Sequence, residues 1–170
     1  MTPRPGDLVV RGRTARFLGR GFPVAVGRGG IAPKRGEGDG VTPVGAWRLE
    51  SLLWRPDRLP RPRTALPLRP IGPRDGWGDD PAEPQAYNRA VRLPVQGSAE
   101  RLRRRDRLYD LVAVTDFNRN PVVPGAGSAI FVHLWRSPFH PTAGCVAFRA
   151  PDLAWVLARW TPRSRLLIRA

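Results

Sequence analysis

Short, mostly apolar runs with a β-strand character dominate the beginning of the chain. They cover residues 8–10, 14–18 and 22–26, and the sequences Arg-Gly-Arg and Gly-Arg-Gly separate them. Glycine-bounded runs of this length are typical of strands that are joined by tight turns. The pattern therefore predicts a meander of three short strands.

Besides the strand that contains His133, three further strands are predicted between residue 45 and the end of the chain. They span residues 45–54, 108–114 and 165–168. The second of these, Leu-Tyr-Asp-Leu-Val-Ala-Val, alternates and is mostly apolar, which indicates a central strand. The third is expected to lie at an edge of the sheet or to close it.

The helical period occurs near the C-terminus. Pro151 suits the first helical position, and Asp152 complements the positive end of the helix dipole. Apolar residues then follow at i, i+3, i+4 and i+7, namely Leu153, Val156, Leu157 and Trp160. A second helix is predicted over residues 99–107. Together these elements predict a mainly β fold with one or two helices, in a single domain of residues 1–170.

A proline-rich segment interrupts this pattern. Residues 56–84 contain eight of the twenty prolines and show little periodicity. An irregular stretch of this length within a domain is either functional or a tolerated surface excursion. Two interpretations therefore stay open. The segment is a lid over an active site, with Trp77, Tyr87 and Asn88 lining the groove, or it is an excursion without a role.

The chain has one cysteine, Cys145, in the sequence Pro-Thr-Ala-Gly-Cys-Val. A single thiol makes no intrachain disulfide, so it is a buried apolar residue, a metal ligand or a nucleophile. Two features favour a nucleophile: both histidines lie within twelve residues upstream, and Gly144 precedes the thiol. Glycine lets the backbone turn sharply and leaves room for a substrate carbonyl beside the adjacent amides.

His133 lies in a predicted strand over residues 127–135, which are mostly apolar and lie between turn residues. Alternation puts two sets of side chains on opposite faces: Ile130, Val132 and Leu134 on one, and Phe131, His133 and Trp135 on the other. Imidazole is the usual activator of a thiol nucleophile. His133 is therefore predicted to be the base for Cys145, with a core histidine bonded to a backbone carbonyl as the other interpretation.

His140 is the alternative base, because the flanking prolines of its loop restrict the backbone five residues before the cysteine. Its other interpretations are a solvated loop residue or a contact to substrate. Asp116, Asn118 or a backbone carbonyl would orient His133. One cysteine and two histidines at this spacing fit no common zinc site, so neither a metal nor a cofactor is expected.

This arrangement resembles the YkuD-type L,D-transpeptidase catalytic domain. The matching motif residues are His133, Thr142, Gly144, Cys145 and Val146. They correspond to the family's strand that ends in histidine and to its Ser/Thr-x-Gly-Cys loop. Residues 34–47 are similar to the family's glycine-rich segment, which leads into Thr-Pro-x-Gly-x-aromatic. The resemblance runs from about Gly29 to the C-terminus.

The resemblance implies a YkuD-like β-sandwich domain that acts on peptidoglycan stem peptides in cell-wall remodelling. Cys145 would attack the amide that holds the terminal D-residue, with His133 moving the proton. An imidazole beside a thiol favours the thiolate. Backbone amides around Gly144 would hold the oxyanion, and Thr142 belongs to the same substrate-contacting loop. Acyl transfer to an amine makes an L,D-transpeptidase, whereas transfer to water makes an L,D-carboxypeptidase, and this alternative stays open.

Three positions depart from the family pattern. Many members have glycine, histidine and arginine where this chain has Leu134, Ala143 and Ala147. Arg149 would share a face with Cys145 in an extended chain, so it is a candidate to replace the missing guanidinium. Its other interpretation is a solvated surface arginine. The departures also leave open a non-catalytic domain that binds peptidoglycan.

The formal net charge of +15 is typical of proteins that bind nucleic acid. The excess is almost all arginine and is spread along the chain, and the basic run at 101–107 lacks the interleaved aromatic residues of single-strand platforms. Nucleic acid is therefore not the expected partner, although a basic nucleic-acid-binding domain remains an alternative. A basic surface also favours residence near anionic polymers of the cell envelope.

No stretch of the sequence approaches the roughly 20 apolar residues of a membrane helix. The first seven residues also lack the charged-then-apolar pattern of a secretion signal. The resemblance nevertheless implies that the protein works in the cell envelope or periplasm. A signal removed before the start of this sequence, a misassigned start codon or non-standard export would reconcile the two.

Overall fold

The computed structural model describes residues 2–170, which contain fifteen strands and one helix. The elements are β1 (Leu8–Arg11), β2 (Thr14–Phe17), β3 (Arg20–Ala25), β4 (Ile31–Ala32), β5 (Thr42–Pro43), β6 (Gly45–Trp47), β7 (Leu49–Trp54), β8 (Leu68–Pro70), β9 (Asp75–Gly78), β10 (Ala90–Arg92), β11 (Ala99–Arg101), β12 (Leu111–Thr115), β13 (Phe131–Leu134), β14 (Val146–Phe148), α1 (Ala150–Leu157) and β15 (Leu166–Arg169). The prediction of a mainly β fold with one or two helices is confirmed.

Ten strands form one large sheet in the order β6-β15-β1-β2-β3-β14-β13-β12-β7-β8. The predicted meander is confirmed as β1, β2 and β3, which pair antiparallel in sequence. Gly12 and Gly19 have φ values of 55° and 79° in the two connecting turns, a conformation that glycine adopts without steric cost. The sequence Arg-Gly-Arg thus marks a turn because glycine fits its left-handed position.

The last strand, β15, lies inside the large sheet. It pairs parallel with β1, with Leu166 opposite Leu8, and antiparallel with β6 on its other side. It therefore joins the C-terminus to the N-terminal meander, and the interpretation of this segment as an edge strand is wrong. Leu166 and Ile168 of β15 are buried in the core, and β6 forms the edge of the large sheet.

The predicted strand at 45–54 is divided in two, because the amide of Arg48 donates to the carboxylate of Asp116 at 2.8 Å between β6 and β7. The predicted strand at 108–114 begins three residues later, at Leu111, but it is central as expected. It pairs antiparallel with β7 on one side and with β13 on the other.

Alternation along β7, β12 and β13 builds a core on each face of the large sheet. The helix-side core includes Leu52, Ala113, Val132 and Leu134, together with the apolar face of α1. The cavity-side core contains Leu53, Ile71, Trp77, Leu102, Tyr109, Val112, Val114, Phe131 and Cys145. The small sheet β10-β9-β11 contributes Trp77 to this second core, so the candidate nucleophile lies on the face that the small sheet flanks.

The helix near the C-terminus is confirmed. Pro151 lies in its first turn, and Leu153, Val156 and Leu157 are buried against the large sheet as their spacing predicts. The buried carboxylate of Asp152 stands at the N-terminal end, where the helix dipole favours a negative charge. No helix among residues 2–170 has the length and apolar character that crossing a membrane requires.

The predicted helix at 99–107 is wrong. The segment begins with β11, which pairs antiparallel with β9, and then continues as turns. Its carbonyl groups bond to arginine side chains instead of forming intrahelical bonds. Arg55 donates to the carbonyl of Arg104 at 2.8 Å, and Arg58 donates to the carbonyls of residues 105 and 106 at 3.0 and 2.7 Å. Tertiary contacts here override the helix propensity of arginine.

The proline-rich segment at 56–84 is more regular than its composition predicts. It contains β8, which extends the large sheet beside β7, and β9, the central strand of the small sheet. Trp77 of β9 is 3% exposed and packs edge-on against Phe131, with ring centroids 5.0 Å apart. The segment therefore covers the cavity-side core, so it is not an excursion without a structural role.

Candidate active site

Cys145 and His133 are brought together by two adjacent parallel strands. β13 and β14 pair with Val132 opposite Val146 and His133 opposite Ala147. Cys145 directly precedes β14, and side chains two residues apart on a strand point to the same face. The thiol and the imidazole therefore lie on the cavity side of the sheet, while Val132 faces the helix-side core.

The same two side chains line one cavity of about 490 Å³. Its other polar or charged lining residues are Lys34, Glu37, Asp79, Glu100, Arg104, Tyr109, Ser128, Trp135, Arg136, His140 and Thr142. Ile130 also lines the cavity, although its predicted face is the opposite one. It precedes β13, so the predicted alternation holds within the strand itself and not at residue 130.

The thiol of Cys145 is held by backbone groups. Its Sγ donates to the carbonyl oxygen of Ala129 at 3.1 Å and accepts a hydrogen bond from the amide of Phe131 at 3.3 Å. The residue is 8% exposed, and burial raises the pKa of the Cys145 thiol to about 12, because a buried thiolate loses its hydration. The thiol is therefore protonated at neutral pH.

The imidazole of His133 is fixed by a backbone carbonyl. Its Nδ1 lies 2.7 Å from the carbonyl oxygen of Leu134, which can only accept, so Nδ1 carries the proton and Nε2 is the basic nitrogen. Burial lowers the pKa of His133 to about 4. Tyr109 packs edge-on against the ring, with centroids 5.2 Å apart.

Two expectations about the pair are corrected by these environments. The neutral thiol and the neutral imidazole do not form a resting thiolate–imidazolium pair, because burial penalises both charged forms. Asp116 and Asn118 do not orient the imidazole. Asp116 accepts from the amide of Arg48, and the Asn118 side-chain amide donates to the carbonyls of Val123 and Gly127.

Thr142 and Gly144 shape the loop that leads to the thiol. The hydroxyl of Thr142 donates to the carbonyl of Cys145 at 2.7 Å and accepts from the amide of Gly144 at 3.1 Å. Gly144 has a φ of 145°, and a Cβ at this position would lie 2.9 Å from the carbonyl oxygen of Val41. The loop therefore requires glycine, and its threonine acts on the backbone of the cysteine.

The other two candidate residues lie in different places. His140 lines the cavity from its exposed loop. Arg149 lies outside the cavity, just before α1, where its Nε and Nη2 each donate to the carboxylate of Asp152 at 3.0 Å. Its side chain is 57% exposed. Arg149 thus belongs to the N-terminal end of α1. Its guanidinium does not take the place of the arginine that many family members have at the position of Ala147.

Trp77, Tyr87 and Asn88 form a buried wall instead of lining the groove. The Asn88 side chain accepts from Trp77 Nε1 at 3.0 Å and from the Ala129 amide at 3.1 Å, and it donates to the carbonyls of Phe117 and Asn118. Tyr87 donates to Glu37 and accepts from the amide of Gly127. This network fixes the backbone at residue 129, whose carbonyl oxygen accepts the hydrogen bond of the Cys145 thiol.

Glu100, Arg104 and Tyr109 are cavity residues that sequence reasoning did not select. Glu100 and Arg104 lie in the segment 99–107, for which the sequence predicts a helix, and a helix there does not indicate a place in the cavity. The only local signal was the position of Glu100 at the start of an otherwise basic run. Among residues 2–170, no group of three or more His, Cys, Asp or Glu side chains is arranged to hold a metal ion.

The fold and cavity define a mainly β domain in which a cysteine and a histidine on neighbouring parallel strands share one pocket. The family model of the YkuD L,D-transpeptidase catalytic domain matches residues 8–168. The chain therefore belongs to the YkuD family of L,D-transpeptidase catalytic domains. Searches of curated proteins and of solved structures found no match.

Proposed function

We propose that the protein is a peptidoglycan L,D-transpeptidase in which Cys145 is the nucleophile and His133 moves the proton. The observation that carries this proposal is the shared cavity, which both side chains line from adjacent parallel strands. The family gives the reaction class, and the cavity supplies a thiol and a basic nitrogen in one enclosed space.

The first half-reaction transfers the acyl group of a stem peptide to Cys145. Sγ attacks the carbonyl carbon of the amide that holds the terminal D-residue, while its proton moves to Nε2 of His133. The carbon–nitrogen bond then breaks, and the imidazolium returns the proton to the departing amine. Because burial penalises both charged forms, transfer of the proton together with formation of the carbon–sulfur bond avoids a buried ion pair.

Backbone amides beside the thiol are the candidates to stabilise the oxyanion. At rest the Gly144 amide donates to Thr142, whereas the Cys145 amide donates to no acceptor among residues 2–170. An amide that is already unoccupied costs nothing to redirect toward the developing charge. We therefore assign the leading oxyanion contact to the Cys145 amide and a supporting one to the loop around Gly144.

The test is incubation with a purified stem tetrapeptide that ends in D-alanine, followed by intact-mass and released-alanine measurements. The unaltered protein should gain the mass of the tetrapeptide without its terminal residue. Cys145→Ala should gain none, and His133→Gln should acylate at least about a hundredfold more slowly, the usual contribution of a positioned acid–base group. Folded protein that forms no adduct and releases no D-alanine would overturn the proposal.

The second half-reaction is resolved in the same experiment by the products. A cross-linked product mass in the presence of an amine acceptor indicates transpeptidation. Accumulation of the free tripeptide, with no cross-linked product at any acceptor concentration, would instead assign the protein as an L,D-carboxypeptidase, which uses the same acyl-enzyme.

A further inference from the structure

The cavity differs in charge from the rest of the protein. The chain has a formal net charge of +15, yet three carboxylates line the cavity: Glu37, Asp79 and Glu100. Of the three lining cations, Lys34 is 2.5 Å from the Asp39 carboxylate, and Arg104 bonds to both carboxylate oxygens of Asp106. Arg104 also lies 3.5 Å from Glu100, so its charge is shared between two carboxylates, and the three lining carboxylates are not fully balanced by the lining cations.

Of the three carboxylates, Glu100 is the one that contacts Tyr109, a neighbour of the His133 imidazole. It occupies the middle of β11, opposite Trp77 of β9. Its Oε1 accepts a hydrogen bond from the Tyr109 hydroxyl at 2.8 Å, and the Tyr109 ring packs edge-on against His133. One residue thus links the Glu100 carboxylate to the imidazole of the candidate catalytic pair.

Glu100 lines the cavity, and its second carboxylate oxygen, Oε2, is available to a ligand. Within residues 2–170 no protein group donates to Oε2, and this atom is not sealed from solvent. The Nη1 of Arg104 lies 3.5 Å from Oε1, and the Arg104 guanidinium also makes a bidentate pair with Asp106. Burial raises the pKa of the Glu100 carboxyl, as expected for a charge without full compensation.

We propose that Glu100 is a specificity-determining residue that binds the ammonium group of the amine acceptor in the second half-reaction. This inference rests on the proposed function, because the acceptor attacks the acyl group on Cys145. The carboxylate of a residue that lines the cavity is a charge-assisted acceptor for an ammonium ion. Neutral water gains less from a carboxylate than an ammonium ion does, so the carboxylate favours the amine over water as the nucleophile.

Transfer to the amine passes through a tetrahedral adduct. The bound ammonium loses one proton to solvent and becomes a free amine, whose nitrogen attacks the thioester carbonyl carbon. His133 takes a second proton from the nitrogen of the tetrahedral adduct. The carbon–sulfur bond breaks, and the departing sulfur of Cys145 receives that proton. The products are a new amide and the free thiol, so the resting enzyme is restored.

The test separates the two half-reactions in the full chain. Acylation by the stem tetrapeptide is followed by intact mass, and the partition between cross-linked and hydrolysed product is measured against the concentration of a stem tripeptide that ends in a diamino acid. Glu100→Gln keeps the shape and an oxygen that accepts from Tyr109. Glu100→Asp keeps the charge, and Glu83→Gln removes a carboxylate outside the cavity.

We expect Glu100→Gln to raise the acceptor concentration for half-maximal transfer about tenfold, the loss expected for one hydrogen bond to a charged group. Its acylation rate should change less than about twofold. Glu100→Asp should recover part of the transfer, and Glu83→Gln should match the unaltered protein. Such a split between half-reactions is not expected of a residue that only supports the fold.

Two results would overturn the inference. An unchanged partition in folded Glu100→Gln would mean that the carboxylate does not bind the acceptor. A parallel fall in acylation and transfer would mean that Glu100 acts only through Tyr109 and His133. Failure of the proposed function looks different, because the unaltered protein would then form no acyl-enzyme at all.

Discussion

The Cys145 thiol donates a hydrogen bond to the carbonyl oxygen of Ala129 at 3.1 Å. Ala129 has a φ of 51°, a left-handed conformation that a non-glycine residue adopts only when its surroundings hold it there. Its amide donates to the buried side chain of Asn88, which supplies that restraint. The backbone before β13 thus holds in place the carbonyl that accepts the hydrogen bond of the thiol.

The first prediction is that alkylation of Cys145 has no plateau near neutral pH. Since burial raises the thiol pKa to about 12, the reactive thiolate fraction should grow about tenfold for each pH unit between about pH 7 and 10. The rate is measured with iodoacetamide by intact mass, and the single cysteine makes the assignment unambiguous.

His133→Gln is the control for this profile. If His133 does not hold the thiol as an ion pair, the variant should retain the same slope of rate against pH. A plateau between about pH 5 and 8 that disappears in His133→Gln would show a resting ion pair and contradict the neutral pair described above.

The positions of Cys145 and His133 could be predicted from the sequence more fully than the other residues that line the cavity. A strand with His133 on one face, followed by a glycine and a cysteine, carries its own geometric information, because alternation fixes the face. Glu100 and Arg104 could not be placed in the same way. Their segment is held by backbone pairing with β9 and by hydrogen bonds from arginine side chains to its carbonyl groups. Both depend on residues that are distant along the chain.

The same limit applies to Arg149. An extended chain would have placed it on the face of Cys145, but α1 begins at Ala150 and turns the backbone away. Asp152 then holds the guanidinium through two hydrogen bonds that no strand pattern could reveal. The sequence around Arg149 is compatible with an extended strand and with the start of a helix. Pro151, which suits the first turn of a helix, favours the helix.

Asn88 gives the second prediction, which concerns stability. Asn88→Asp should lower the free energy of unfolding by about 3 kcal/mol, because the new carboxylate oxygen would face the carbonyls of Phe117 and Asn118 with no proton to donate. The measurement is urea unfolding. Gln85→Glu, the same chemical change at an exposed position nearby, should change stability by less than about 0.5 kcal/mol.

Asn88→Asp should also slow acylation of whatever fraction remains folded, because repulsion from the carbonyls of Phe117 and Asn118 displaces the side chain that accepts from the Ala129 amide. Equal stability of Asn88→Asp and the unaltered protein would contradict the role given to the buried network. A destabilised protein with an unchanged acylation rate would mean that the Asn88 network supports the fold but does not influence the Cys145 thiol.

The third prediction tests the correction at Arg149. Arg149→Ala should leave the acylation rate within about twofold, because a residue outside the cavity makes no contact with a bound peptide. A modest fall in melting temperature is expected, since Asp152 loses its bidentate partner. Loss of acylation well beyond twofold, with the protein still folded, would return Arg149 to the substrate site.

The fourth prediction concerns acid stability. His133 has a pKa of about 4 in the folded chain and an ordinary value of 6.5 when unfolded. Between these values the unfolded chain binds a proton that the folded chain rejects, so stability is full above about pH 6.5 and falls as the pH drops toward 4. The contribution of this residue to the loss is about 3 kcal/mol.

The comparison of the unaltered protein with His133→Gln isolates this contribution, because the carboxylates that also titrate in acid are the same in both proteins. Urea unfolding at several pH values from about 4 to 8 should give a weaker dependence on pH in the variant, with the difference confined to the range below 6.5. Identical dependences would mean that His133 is accessible to protons in the folded chain. A buried neutral imidazole, and with it the coupled proton transfer of the first half-reaction, would then be excluded.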